Sequence, residues 1–281
     1  MIELMKKNKL RLALLDMNNG FPNQGMRCLR AIINKYSDTL TFDEFDVRQK
    51  HELPDLSYDI YISSGGPGTP LEEGSKWLAN FRRLIDDLWI YNLQPGTQKK
   101  HAFFICHSFQ LVAQHLMLGE ITKRKSTSFG VYPIHKTAAG KKDTLLAGLD
   151  DLYYAVDSRD WQLVQPRLKV FKEHGAEILS LEKIRTNVEY ERAIMAVRFS
   201  KELVGTQFHP EADAEGMKTY FEQEENRNKV ILNFGEKRYI DMMMHLDDPD
   251  KISLTHSAIL PGFIESAIGS LQGGHKNLIM V

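Results

Sequence analysis

The chain has 281 residues, with 36 Lys+Arg against 37 Asp+Glu, 10 His and 2 Cys. Apolar residues make up 42% and charged residues 26%, the balance of a globular protein with a full core and not of a disordered or fibrous one. A formal charge of -1 removes the long-range basic field of a nucleic-acid binder, and two cysteines make neither a disulfide framework nor a four-cysteine zinc site.

In chain order, the apolar run Leu10 to Leu15, ending at Asp16, predicts a buried parallel strand. The N-terminal segment lacks a signal-peptide core, and no run of about 18 apolar residues occurs, so a cytoplasmic protein with no membrane contact is expected. Met26, Leu29, Ile32, Ile33 and Tyr36 fall on one face of a helix over 24–36. Strands over 40–45 and 58–63 follow, the second stopped by Gly65-Gly66-Pro67-Gly68. Trp77, Phe81, Leu84, Ile85, Leu88 and Trp89 recur at steps of three and four, an amphipathic helix with its tryptophans in the core. Ala102 to Cys106 reads as a buried strand running directly into a helix over 108–118. Strands alternating with helices predict an α/β fold with an open, mostly parallel sheet covered by helices on both faces. Further short strands are expected at 129–135, 153–156, 177–181, 193–199 and 203–208. Residues 214–246, nearly free of Gly and Pro, read as helical. Pro249 and Pro261 punctuate a last helical segment near 262–271, and the tail from Gln272 frays. The expected division is one α/β domain over 1–240 and a helical C-terminal extension over 241–281.

Cys106 sits at a strand-to-helix turn. Such a residue projects from the carboxyl edge of an α/β sheet, and the helix N-terminus favours its thiolate. A buried cysteine that merely ends a strand fits the same placement. His209 and Glu211, two residues apart around Pro210 at another strand end, add a base for that thiol and a carboxylate to orient the base.

Three strings, ISSGGPGTP (62–70), FFICHSFQL (103–111) and VGTQFHPEA (204–212), occur in the order and spacing of the class I, triad-type glutamine amidotransferases, whose motifs they resemble. The resemblance spans residues 10 to about 211 and implies that family's flavodoxin-like fold. It also implies Cys106 as nucleophile, His209 as base and Glu211 as its partner. The backbone N–H groups of Gly66 and His107 would form the oxyanion hole, with Gln110 and Gly65 beside the glutamine. A phosphate-loop reading of the glycines fails for want of a Gly-Lys-Ser/Thr ending. The string SFGVYPIH (128–135) resembles the pocket-lining E-x-G-W-x-P segment of guanylate-synthase-like members, which places Gly130 near substrate. VDSRDWQLVQP (156–166) falls where the family has a polar loop, with Ser158, Arg159 and Trp161 at the entrance.

The chain departs from the family at the elbow, where Phe104 and Ser108 replace glycines that let strand and helix pack tightly. The resemblance implies hydrolysis of the glutamine side-chain amide through a γ-glutamyl thioester, releasing glutamate and ammonia for a partner synthetase. Two alternatives stay open: a γ-glutamyl peptidase or transferase, and a non-catalytic binding or regulatory module, which Phe104 favours. No cofactor or metal is expected, since HExxH and paired Cys/His spacings are absent and His101 and His107 lack close partners. His115, His135, His174 and His245 read as surface or packing residues, Cys28 as a buried or lining thiol, and Met242 to Met244 as half-buried helix. The C-terminal extension is open to three roles: covering the sheet edge, homodimerisation or docking a synthetase.

Overall fold

A computed structural model describes residues 9–21, 23–184, 191–248 and 250–277. Residues 1–8, Pro249 and 278–281, which entered the sequence reading, lie outside them. Among the described residues one sheet of nine strands carries the molecule. Its parallel half comprises β1 (Leu10–Asp16), β2 (Leu40–Asp46), β3 (Ile60–Ser63), β4 (His101–Ile105) and β9 (Leu203–Thr206), in the order β2-β1-β3-β4-β9. The other half continues antiparallel through β8 (Ile194–Arg198), β7 (Glu177–Glu182), β5 (Glu120–Lys136) and β6 (Leu152–Val164).

Period-two alternation sorts β1 between two cores. Leu12 and Leu14 pack with α1 (Gln24–Asn34) and α8 (Ile252–Asn277) on one face. Ala13 and Leu15 pack with α2 (Lys76–Leu93), α3 (His107–His115) and α4 (Leu168–His174) on the other. The expected α/β sandwich is therefore present, and the helix α4 is an addition to it. The predicted polar loop over 156–166 is instead mostly strand, because β6 pairs with β5 as far as Val164.

The C-terminal reading needs correction. The layer-completing helix is α8, and it runs straight through Pro261, Gly273 and Gly274. An interior proline costs about 3 kcal/mol. Ile259, Leu260, Phe263, Ile264, Ala267 and Leu271 bury their side chains against the sheet. At about 1.5–3 kcal/mol for each large apolar side chain, that burial outweighs the proline. The expected boundary at 240 falls inside α7 (Glu236–Leu246), and α8, within the expected extension, completes the α/β core.

What is inserted lies earlier. The helices α5 (Ala214–Glu222), α6 (Glu224–Phe234) and α7 (Glu236–Leu246) break at extended Gln223 and at Gly235, whose φ is 87°. They form a cap on the β5–β6 hairpin, with Phe129 stacked on Phe234 at 4.5 Å and edge-on to Phe221 at 5.7 Å. Met242 is buried in this third cluster, Met243 half-buried and Met244 exposed.

Candidate active site

The carboxyl ends of β3, β4 and β9 bring the three sequence strings together. Cys106 is the turn between β4 and α3, with φ 48° and ψ -100°. That conformation is costly for a residue with a Cβ and is held by neighbours. Cys106 N–H donates to the Thr206 carbonyl at 2.8 Å, and the Cys106 carbonyl accepts from Gln110 N–H at 3.0 Å.

His209 lies just beyond β9, where its N–H donates to the Val156 carbonyl at 2.8 Å. Its Nδ1 sits 2.7 Å from Glu211 Oε1, and the ring interacts electrostatically with the Cys106 side chain. With Nδ1 committed to the carboxylate, Nε2 is the nitrogen left for the thiol. Burial alone would lower the pKa of His209, but the charges of Glu211 and Cys106 outweigh it and hold the imidazole well above its ordinary range. Glu211 is itself buried, close to Gly25 at the N-terminus of α1, whose partial positive charge suits a carboxylate. From the far side His256 of α8 donates Nδ1–H to the Glu211 carbonyl at 3.1 Å. Burial lowers the pKa of His256, which favours the neutral donor.

The glycines are required by contact. A Cβ on Gly65 would lie 2.9 Å from His209 Cε1 and 3.3 Å from Cys106 Cβ. On Gly66 it would lie 2.2 Å from the Met17 carbonyl oxygen. Gly66 and His107 line one cavity of about 520 Å³ with Cys106. The His107 N–H opens α3 and has no acceptor within the helix. The His107 ring turns away, stacked obliquely on Trp77 at 6.4 Å, and burial drives its pKa down to about 3.

Phe104 and Ser108 are built into this elbow. The Phe104 ring is edge-on to Phe81 at 6.4 Å and Phe199 at 6.1 Å. Its partner across β9 is Gly205, so the missing side chain lies opposite the added ring. Ser108 Oγ accepts from Ile105 N–H at 2.9 Å and lies 3.0 Å from the Ser63 carbonyl, tying α3 to β4 and β3.

Other expected residues divide. Gln110 lines the cavity, but its Nε2 is spent on the Trp161 carbonyl at 3.1 Å and Gln207 Oε1 at 2.9 Å. Gln207, within the string VGTQFHPEA yet not marked by it as a site residue, is fully buried, and its Nε2 donates to Cys106 Sγ at 3.7 Å. Ser158, Arg159 and Trp161 reach the cavity from β6, and the Ser158 carbonyl lies 3.8 Å from the thiol. The Arg159 side chain is committed to Asp157 at 2.9 Å and Glu182 at 2.5 Å. Gly130 is not brought to the cavity; with φ 132° it lies beneath Arg238 of α7. Cys28 does line the cavity, 3.0 Å from Asp213, which also holds Arg27. Burial and that carboxylate push its thiol up to about 12. Among the described residues no cluster of His, Cys, Asp or Glu could hold a metal ion, and no helix is long and apolar enough to cross a membrane.

His256 carried no sequence signal, and the cap residues Met217, Tyr220 and Phe221, which also border this site, only that of a stretch nearly free of Gly and Pro. An imidazole held by a carboxylate can take the thiol proton, and two backbone donors can hold the oxyanion formed when a thiolate attacks an amide.

Comparisons with known proteins agree with this fold. A glutamine amidotransferase structure from Thermotoga maritima superposes with a TM-score of 0.68 at 17% identity, covering 93% of this chain and 99% of its own. A putative GMP synthase subunit from Thermoplasma acidophilum gives 0.54 at 13% identity, covering 97% and 98%. The glutaminase domain of a Trypanosoma brucei CTP synthase, with bound acivicin, gives 0.58 at 10% identity, covering 94% of each chain. No curated protein matches the sequence. The family model for class I glutamine amidotransferases matches residues 13–226, and the chain belongs to that family.

Proposed function

We propose that the protein hydrolyses the side-chain amide of glutamine through a γ-glutamyl thioester on Cys106. His209 takes the thiol proton, and the thiolate attacks the amide carbon. The oxyanion rests on the N–H groups of Gly66 and His107. The tetrahedral intermediate collapses as the C–N bond breaks, and ammonia leaves with a proton from the imidazolium. Water activated by His209 then cleaves the thioester to glutamate. Glu211 keeps the imidazole in one tautomer and stabilises its cation.

The observation that carries this reading is the continuous line Cys106–His209–Glu211, with the 2.7 Å imidazole–carboxylate contact, opening on a cavity lined by both oxyanion donors. The ammonia would pass to a synthetase on a partner chain. That is in keeping with the CTP synthase domain and the putative GMP synthase component that share this fold. Glutamate release from glutamine, compared between the wild-type protein and Cys106→Ser, tests the activity. A rate abolished by the substitution is expected, and equal background rates in both would overturn it.

A further inference from the structure

The cavity has a second wall that glutamine does not need. Phe129, Val156, Met217 and Phe221 belong to the apolar cluster that binds the cap to the β5–β6 hairpin, and all four line the cavity that holds Cys106. Tyr220 lines it as well, its ring 5.1 Å from that of Phe221. A volume of about 520 Å³ falls within the ~300–1,000 Å³ of clefts that hold drug-sized ligands, which leaves room beyond a small amide such as glutamine.

The position of this wall decides what it meets. Val156 is one of its members, and the Val156 carbonyl accepts the N–H of His209. Met217 and Phe221 lie on α5, whose N-cap Asp213 follows Glu211 by two residues and is pinned by Arg27. The apolar wall therefore adjoins His209, the group that hands its proton to the departing nitrogen. Of the charged residues lining the cavity, Asp160 accepts from Thr127 at 2.5 Å, and Arg159 is held by Asp157 and Glu182 through Nε and Nη2, its buried Nη1 having no partner among the described residues.

We propose that α5 and Phe129 form a leaving-group subsite for an aromatic or branched apolar amine, so that the site takes γ-glutamyl amides substituted on nitrogen. This rests on the thiol acylation proposed above. The Cys106 thiolate forms the C–S bond and the C–N bond breaks. The amine departs with the proton from His209, and water then releases glutamate and restores the thiol.

The test measures amine release from γ-glutamyl benzylamide and γ-glutamyl methylamide, beside ammonia release from glutamine. The subsite predicts kcat/KM for the benzylamide at least about tenfold above the methylamide, the scale of selectivity that a hydrophobic pocket supplies. Met217→Ala and Phe221→Ala should each bring that ratio toward one. The ratio is internal to each preparation, so loss of folded protein does not imitate the effect. Turnover of glutamine with no benzylamide preference overturns the subsite alone. A preference untouched by both substitutions overturns its assignment to α5. No turnover of any of the three substrates overturns the subsite together with the acylation beneath it.

Discussion

Phe104→Gly restores the family residue at the elbow, and its expected effect is damage. Phe104 is 3% exposed and lies in a central strand, wedged between Phe81 and Phe199. Truncating a buried Phe to Ala costs about 3–5 kcal/mol. Glycine in a strand interior adds about 0.5–1 kcal/mol of chain entropy. The total, on the order of 4–6 kcal/mol, corresponds to a fall in Tm of roughly 10 °C for a domain of this size. Gly205 has no side chain to fill the gap, so the cavity would stay open beside the strained turn at Cys106. Denaturant unfolding and glutamine hydrolysis by the same preparation check both halves, and kcat/KM should fall as well. A variant within about 1 kcal/mol of wild type, or one with a raised rate, would refute the view that Phe104 is built into the elbow.

Three further outcomes follow from the site. Ser108→Ala leaves the buried Ile105 N–H without its 2.9 Å acceptor, so denaturant unfolding should register a loss of about 1–3 kcal/mol; unchanged stability would contradict the tie. In Glu211→Gln the carboxylate that raises the His209 pKa is gone, so the imidazolium loses its proton at lower pH. The alkaline limb of kcat/KM should move to lower pH, and a limb that stays in place or moves up would contradict the assignment. Iodoacetamide at neutral pH should label Cys106 ahead of Cys28, whose thiol lies near 12. Peptide mass analysis finding Cys28 labelled first would overturn that order.

The parallel half of the sheet and the Cys–His–Glu line were legible because each depends on contiguous sequence. An apolar run meeting a turn marks a strand end, and the three strings place their residues at the ends of adjacent strands. Phe104 looked like an obstacle in sequence because its compensation, Gly205, lies on another strand and is opposite only once β4 pairs with β9. Pro261 suggested a helix boundary, since local chemistry disfavours proline there; the tertiary burial of six apolar neighbours on α8 reverses that preference. Gln110 was expected to face glutamine, but its amide is taken by Gln207 and Trp161, partners remote in sequence. His256 reaches Glu211 only because α8 returns across the sheet. The cap shows in sequence as a stretch nearly free of Gly and Pro, which says nothing of which cavity it borders.

The central claim is that Cys106 is the thiol that attacks a glutamyl amide. A chloroketone analogue of glutamine tests it most directly, because alkylation needs only binding and a competent thiolate, not turnover or an ammonia acceptor. Peptide mass analysis should find one adduct per chain, on Cys106, suppressed by excess glutamine and lost in His209→Ala. An unmodified Cys106, or an adduct confined to Cys28, would contradict the account.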